Sequence, residues 1–120
     1  MCVKVLLGED AEVMRRAICN LLSEREDIKV VGEVATFPEV LQKATELKPD
    51  VIVFDLHMPG NNFSAPFLNG YRLLAISLAN DDETKQLADS IGAAKLLDKA
   101  ELANQLIPAI LELAPAKTTH

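Results

Sequence analysis

Short apolar runs alternate with helix-patterned segments along this chain, and that alternation restricts the fold more than any other feature. Five runs have the length and composition of strands, at residues 3–7, 28–34, 51–54, 73–78 and 94–97. The run at 51–54 contains no polar residue, which is typical of a central strand in a parallel sheet covered by helices on both faces. Strand–helix alternation of this length predicts an open α/β sheet, and right-handed crossovers leave few strand arrangements.

The segments between these runs carry helix signals. The sequence Thr36-Phe37-Pro38-Glu39 has the form of a capping box and predicts a helix start. Gly92 is predicted to end the helix at 84–91. Pro108 lies within the last predicted helix, 102–113, so that helix either begins later or bends there. The first helix is predicted from apolar residues at helical spacing: Met14, Ala17, Ile18, Leu21 and Leu22.

Length and charge exclude several kinds of function. The 120 residues predict one domain, 1–120, in which 114–120 form a flexible tail or truncated linker. A net charge of −6 without a basic cluster argues against direct nucleic-acid binding by this domain. No apolar run approaches the roughly 20 residues that cross a bilayer. Cys2 and Cys19 lack metal-ligand spacing, so we expect buried or inert thiols and a cytoplasmic location, without membrane contact.

Carboxylates follow two of the predicted strands at the point where each strand ends. Glu9 and Asp10 follow the first strand, and Asp55 follows the third. In open α/β sheets, ligands bind outside the carboxyl ends of the strands. If these two strands are neighbours, the three acids converge, and like charges that close need a cation to neutralise them. Oxygen ligands suit Mg²⁺, and a carboxylate beside the ion can act as a nucleophile toward phosphorus.

Two further strand ends carry side chains that suit phosphoryl transfer. Ser77 closes the fourth strand and offers a hydroxyl, and Lys99 follows the fifth and offers an ammonium group. Taken singly, each of these polar residues has an ordinary structural explanation as a turn residue, a helix-end charge or a solvated side chain. Their joint placement, at successive strand ends, favours an electrostatic cradle for a phosphoryl group.

At these residues the sequence resembles the receiver domains of two-component response regulators, and most of all those that precede LuxR/NarL-type output domains. The resemblance covers about residues 3–112. It is carried by the segments at 3–10, 30–33 and 48–60, the last with the motif Asp55-Leu56-His57-Met58-Pro59-Gly60, and by 91–93 leading to Lys99. It implies a flavodoxin-like, CheY-like fold, an open five-stranded parallel sheet in the order 2-1-3-4-5 with helices on both faces.

The resemblance also implies roles for the candidate residues. Asp55 would be the phosphoacceptor, with Ser77 and Lys99 contacting the phosphoryl group. Mg²⁺ would be held directly by Asp10 and Asp55, through water by Glu9, and by the backbone carbonyl of His57. The donor would be a phosphohistidine on a histidine kinase or histidine phosphotransfer protein, or a small donor such as acetyl phosphate. The domain would catalyse its own phosphorylation and slow dephosphorylation rather than turn over a substrate.

Phosphorylation would then act as a switch on a partner or output domain. The added charge would bias the face formed by the fourth strand, the following helix and the fifth strand toward a second arrangement. Asp81, Asp82 and Glu83, at the start of that helix, are predicted to be favourable helix-end charges rather than catalytic groups. A C-terminal or separate DNA-binding output domain and a homodimer are both left open.

Three departures from the family pattern predict local differences. Only 22 residues separate Asp55 from Ser77, which predicts a shortened third helix interrupted by Pro66. Leu78 stands where a small residue is usual and predicts restricted access for phosphodonors. Leu96 replaces the usual aromatic residue, so coupling through an aromatic rotamer is not expected.

Three other functions compete with phosphoacceptance. A degenerate receiver would use the same fold as a phosphorylation-independent protein-binding module. An Asp-nucleophile phosphatase would need a second Asp two residues after the first, where this chain has His57. A flavin-binding module would need aromatic side chains to sandwich the ring, and this chain has one Tyr and no Trp.

Overall fold

The computed structural model describes residues 2–60 and 70–114, and within them the chain forms one parallel sheet of five strands in the order β2-β1-β3-β4-β5. The predicted strand order and the predicted α/β class are therefore confirmed. Two predictions lie outside the described residues, namely the shortened third helix with Pro66 and the tail beyond residue 114. The elements are β1 (Val3–Gly8), α1 (Glu12–Leu22), β2 (Ile28–Val34), α2 (Phe37–Leu47), β3 (Val51–Asp55), β4 (Arg72–Ser77), α3 (Asp82–Ile91), β5 (Lys95–Asp98), a 3₁₀ turn (Lys99–Glu101) and α4 (Leu102–Leu113).

Helices cover both faces of the sheet, as the apolar run at 51–54 predicts. Residues 51 and 53 belong to a core cluster that α1 and α4 complete from one side. Residues 52 and 54 belong to a second cluster that α2 and α3 complete from the other side. Alternate side chains of a strand point to opposite faces of the sheet. Because helices cover both faces, all four residues are fully buried.

The helix ends confirm most of the local predictions. Thr36 caps α2 by accepting a hydrogen bond from the Glu39 N–H, and the Glu39 carboxylate accepts one from the Ala35 N–H at 3.2 Å. Gly92 ends α3 in the left-handed region with φ 94°, as predicted. The helix α4 begins at Leu102 and runs through Pro108, so a later start is excluded. Within the described residues, no helix is both long and apolar enough to cross a membrane.

Four of the five strands differ from their predicted bounds by one residue at one or both ends, and the end of the fourth strand bears on the site. The fourth strand ends at Ser77 rather than at Leu78, whose side chain is 75% exposed. The Ser77 hydroxyl accepts a hydrogen bond from the Ala79 N–H at 3.1 Å and so closes a turn immediately after the strand. An apolar side chain at the end of a run resembles a strand residue in sequence, although here it lies beyond the last sheet pairing.

The strand register brings the carboxyl ends of four strands to one edge of the sheet. Gly8 pairs with Phe54 across β1 and β3, Asp55 with Ile76 across β3 and β4, and Ser77 with Asp98 across β4 and β5. The residues that end or follow these strands therefore face a common crevice. We call this crevice the carboxyl-edge site and describe it below by its residues Glu9, Asp10, Asp55, Ser77 and Lys99.

Candidate functional site at the carboxyl edge of the sheet

Asp55 lies at the centre of the carboxyl-edge site, at the end of the central strand β3. Its side chain is held from two directions: Oδ1 accepts a hydrogen bond from the His57 N–H at 3.0 Å, and Oδ2 lies 3.2 Å from the Lys99 Nζ, which donates to it. The Leu56 N–H continues the sheet by donating to the Ile76 carbonyl at 3.0 Å. Asp55 is thus a nearly buried carboxylate of fixed orientation, with 6% of its surface exposed.

Glu9 lies beside Asp55 and is fully buried. Its backbone N–H donates to the Val34 carbonyl at 2.9 Å, and its Oε2 accepts from the Ala11 N–H at 3.2 Å. The Lys99 Nζ lies 2.8 Å from Oε1, and the two groups form a buried ion pair.

The electrostatics of the pocket follow from two buried acids sharing one ammonium group. Burial raises the pKa of Glu9, the Lys99 ammonium and the Ala11 N–H oppose that rise, and the negative charge of Asp55 adds to it. Burial alone would lower the pKa of Lys99, but contacts with Glu9 and Asp55 outweigh it and raise that pKa. Lys99 is thus held in its charged form, whereas the acids remain incompletely neutralised.

Glu9, Asp10 and Asp55 form a group of acids that fits a divalent cation. Each offers one carboxylate oxygen, and the three oxygens lie within 4.8 Å of one another. Glu9 and Asp55 are buried, whereas Asp10 is exposed, so one side of the group opens to water. An oxygen-only donor set, excess negative charge and a side open to water are features that suit Mg²⁺. The residues therefore fit the predicted ion.

Ser77 is fully buried at the end of β4, one residue beyond the partner of Asp55 in the sheet. In the described part of the chain its hydroxyl is bonded to the Ala79 N–H rather than to Asp55 or Lys99. The structure thus brings Glu9, Asp10, Asp55 and Lys99 together and places Ser77 on the adjacent strand without direct contact. His57 is exposed and contributes its N–H to Asp55, while metal binding by its carbonyl stays a prediction.

Two supporting features escaped the sequence-based reasoning. The loop after Asp55 is fixed to the start of α2, because the Phe37 N–H donates to the Pro59 carbonyl at 3.0 Å. The Arg15 side chain donates to the Glu9 carbonyl at 2.8 Å. Nothing in the sequence signals the Arg15 contact, because an arginine in the first turns of an amphipathic helix is normally a solvated charge.

Comparisons with known proteins point to one family. The sequence profile of the response regulator receiver domain matches residues 5–111. The response regulator protein VraR of Staphylococcus epidermidis is 50% identical over 58 residues, which are 48% of this chain and 28% of VraR. The chain thus aligns with less than a third of the length of that relative.

Solved structures show the same fold over nearly the whole chain. The response regulator domain of Thermotoga maritima CheB has a TM-score of 0.82 at 25% identity, covering 94% of this chain and 96% of its own. The signal receiver domain of the putative response regulator NarL from Mycobacterium tuberculosis has a TM-score of 0.82 at 26% identity, covering 97% and 98%.

Proposed function

Because the chain belongs to the response regulator receiver domain family, we propose that Asp55 accepts a phosphoryl group from a phosphohistidine in a Mg²⁺-dependent reaction. The donor is a histidine kinase or histidine phosphotransfer protein, and acetyl phosphate serves as a small substitute. A carboxylate oxygen of Asp55 forms the new bond to phosphorus while the bond from phosphorus to the donor imidazole breaks. The observation that carries the proposal is the fixed Asp55 carboxylate between Lys99 and the acid pair Glu9 and Asp10.

The metal ligands are assigned from the acid group. Asp10 and Asp55 bind the ion directly, Glu9 acts through water, and the carbonyl of His57 completes the set. The chemistry that Mg²⁺ supplies when bound is neutralisation of the charge that the acids and the incoming phosphoryl group would otherwise bring together. Glu9 would take part because its carboxylate is one of the three whose oxygens lie within 4.8 Å of one another.

Lys99 and Ser77 act on the phosphoryl group once it is on Asp55. The Lys99 ammonium, which contacts Asp55 Oδ2 at 3.2 Å, then pairs with a phosphoryl oxygen. The Ser77 hydroxyl, which accepts from the Ala79 N–H, donates its own O–H to another phosphoryl oxygen. Because Ala79 belongs to the connection between β4 and α3, movement of Ser77 toward the phosphoryl group shifts the connection and the neighbouring face of α3 and β5.

The biological setting is part of the same proposal. The protein acts in the cytoplasm, and its phosphorylated form controls an output, which is a DNA-binding domain, C-terminal or separate. The receiver domain itself, with a net charge of −6, is unsuited to bind nucleic acid. The modified domain acts as a switch rather than as a turnover enzyme and returns slowly to its resting state by hydrolysis of the aspartyl phosphate.

The test is phosphorylation by acetyl phosphate with Mg²⁺, followed by intact mass spectrometry. We expect one added phosphoryl group in the unmodified protein and none in Asp55→Asn, which should stay folded. Asp89→Asn is the matched control, because Asp89 is an exposed carboxylate on α3. Labelling that persists in Asp55→Asn would contradict the assignment. Absence of labelling in the unmodified protein would instead favour the degenerate receiver that binds partners without phosphorylation.

A further inference from the structure

Arg15 connects three elements around the carboxyl-edge site. From α1, its Nη1 donates to the backbone carbonyl of Glu9 at 2.8 Å, and its Nε lies 3.5 Å from the Glu33 Oε1 on β2. About a quarter of the side chain is exposed. Its neighbour Arg16 differs on each point, since it is largely exposed and pairs with Glu12 on the same helix. Arg15 is therefore held against the carboxyl-edge site, whereas Arg16 extends into solvent.

The carbonyl that Arg15 contacts belongs to the peptide joining Glu9 to Asp10. The N–H of Glu9 is already fixed by the Val34 carbonyl, so the Arg15 contact fixes the other side of this residue. The Asp10 side chain makes no hydrogen bond or ion pair with the described residues. Its direction thus depends on the backbone that carries it, and that backbone is held by the Arg15 guanidinium.

From these contacts we propose that Arg15 is a positioning residue for the divalent cation. It touches neither the ion nor Asp55, and it acts by holding the Glu9–Asp10 peptide so that both carboxylates face Asp55. Groups that orient metal ligands in this way typically change metal affinity by about tenfold or more when removed. The inference rests on the proposed Mg²⁺ site and adds a residue that supports it.

The positioning role and a simple charge effect have opposite signs. A positive side chain near a cation site repels the cation, so removing its charge alone should tighten Mg²⁺ binding. Removing an orienting hydrogen bond should weaken Mg²⁺ binding, because the two acids must then be ordered at a cost in free energy when the ion binds. A weaker Mg²⁺ affinity would therefore indicate the positioning role and a tighter one a charge effect, whatever the size of the change.

The experiment is isothermal titration calorimetry with Mg²⁺ alone, at fixed ionic strength, on the full chain. We expect Arg15→Gln to bind Mg²⁺ about tenfold more weakly than the unmodified protein. Arg16→Gln is the matched control, since it removes the same charge one residue away, and its affinity should stay within about twofold because exposed ion pairs contribute little. If Arg15→Gln does not fold, Arg15→Lys replaces it, with weakening again expected because one ammonium cannot span both anchors.

Urea unfolding of the same variants provides the second readout. A merely structural role would lower the free energy of unfolding of Arg15→Gln and leave the Mg²⁺ affinity of the folded protein unchanged, and that result would overturn the proposal. Equal or tighter Mg²⁺ binding by folded Arg15→Gln would also overturn it. Absence of Mg²⁺ binding by the unmodified protein is a different failure, because it removes the proposed metal site itself and the role of Arg15 with it.

Discussion

Lys99 is shared between Glu9 and Asp55, and this sharing determines the charge of the resting pocket. Its Nζ lies 2.8 Å from Glu9 and 3.2 Å from Asp55, and only 7% of its side chain is exposed. One ammonium group cannot neutralise two buried carboxylates and Asp10 as well. The pocket is therefore left with net negative charge, which favours a divalent cation.

The two thiols should react at different rates. Burial, followed by the negative charge of Glu33, raises the pKa of Cys19 to about 11, whereas Cys2 is exposed. At pH 8, about one Cys19 in a thousand would be a thiolate, which is the reactive form. We expect a chromogenic disulfide reagent to modify Cys2 quickly and Cys19 slowly, and Cys2→Ser to remove the fast phase.

The same measurement has an internal check. Because Glu33 raises the pKa of Cys19, Glu33→Gln should lower that pKa and speed the slow phase. Two fast phases of equal amplitude in the unmodified protein would contradict the predicted burial of Cys19.

Sequence reasoning identified the acids and the lysine of the candidate site and expected them to converge, but it did not tell which carboxylates Lys99 contacts. The positions of Glu9, Asp55 and Lys99 follow from strand ends, because parallel strands present their carboxyl ends at one edge. The contact of Lys99 with Glu9, and that of Ser77 with Ala79, depend on side-chain torsions and turn geometry that spacing does not encode. Arg15 was missed for the same reason.

At the scale of elements, the loop after β3 is fixed by contacts with β1 and α2. Met58 is buried against Gly8, where an added Cβ would lie 2.9 Å from the Met58 Cε. Gly60 has φ +85°, and a Cβ there would lie 2.7 Å from Pro38 Cδ at the start of α2. These contacts hold the backbone that follows Asp55 and carries the His57 N–H.

Gly60 and Gly70 form a matched pair that tests this packing. Both have positive φ, +85° and +89°, but no atom of residues 2–60 and 70–114 lies within 4 Å of a Cβ built on Gly70. Gly70→Ala should lower the free energy of unfolding by about 1–2 kcal/mol through backbone strain alone. Gly60→Ala should lose about 1–3 kcal/mol more because the proline ring cannot move aside. Urea unfolding measures both, and equal losses would contradict the role of the Pro38 contact.

Asp81 provides a pH-dependent contribution to α3. Its Oδ1 accepts from the Thr84 N–H at 2.9 Å, and its hydrogen bonds with Thr84 lower the pKa of the carboxyl below its ordinary value of 3.8. A lowered folded pKa means that the stabilisation is complete above the ordinary pKa and is lost as pH falls through the folded value. Asp81→Ala should therefore melt below the unmodified protein at pH 7, and the difference should shrink in acid.

The control for this prediction is Asp82→Ala, which removes the same charge from the first residue of α3. Its melting temperature should differ less from that of the unmodified protein at pH 7, because a charge near a helix start contributes less than a cap that also accepts a hydrogen bond. A difference for Asp81→Ala that stays constant down to acid pH would show that the carboxylate is not the source of the stabilisation.

The elements themselves were largely predictable, and the exceptions lie at their ends. Composition located β2 at its observed bounds, Ile28–Val34, because the run is rich in β-branched residues. The end of β4 was misplaced at Leu78 because hydrophobicity does not report where sheet pairing stops. Pro108 left two alternatives for α4, and tertiary burial of Leu106 and Ile110 on either side of it explains why the helix tolerates the missing N–H.

At the scale of the whole molecule, the acidic residues of the site lie where the strand order of the sheet reverses. The chain passes from β1 outward to β2 and returns to β3 on the other side of β1, so the crevice between β1 and β3 is the place where the strand order reverses. Glu9, Asp10 and Asp55 lie at that crevice in a protein of net charge −6. Folding thus brings Asp55 to the sequence neighbours Glu9 and Asp10, and the repulsion among these like charges opposes folding until a cation binds.

Because repulsion among the three acids opposes folding, we expect bound Mg²⁺ to raise the free energy of unfolding of the whole domain. A ligand that binds the folded but not the unfolded chain raises the free energy of unfolding, by about 2.7 kcal/mol at a concentration one hundred times its dissociation constant. We expect the urea midpoint of the unmodified protein to rise with Mg²⁺ in this way. Asp10→Asn should be more stable than the unmodified protein without Mg²⁺, because one repelling charge is gone, and should gain little when Mg²⁺ is added.

Sodium chloride at matched ionic strength is the control, because general screening also relieves repulsion in an acidic protein. Screening acts on all 18 acidic residues, whereas a bound ion acts on the three that converge. Screening should therefore stabilise the unmodified protein and Asp10→Asn alike, and only a bound ion should distinguish them. If sodium chloride reproduced the entire effect of Mg²⁺ in both proteins, the acids at the carboxyl edge would not be acting as a binding site.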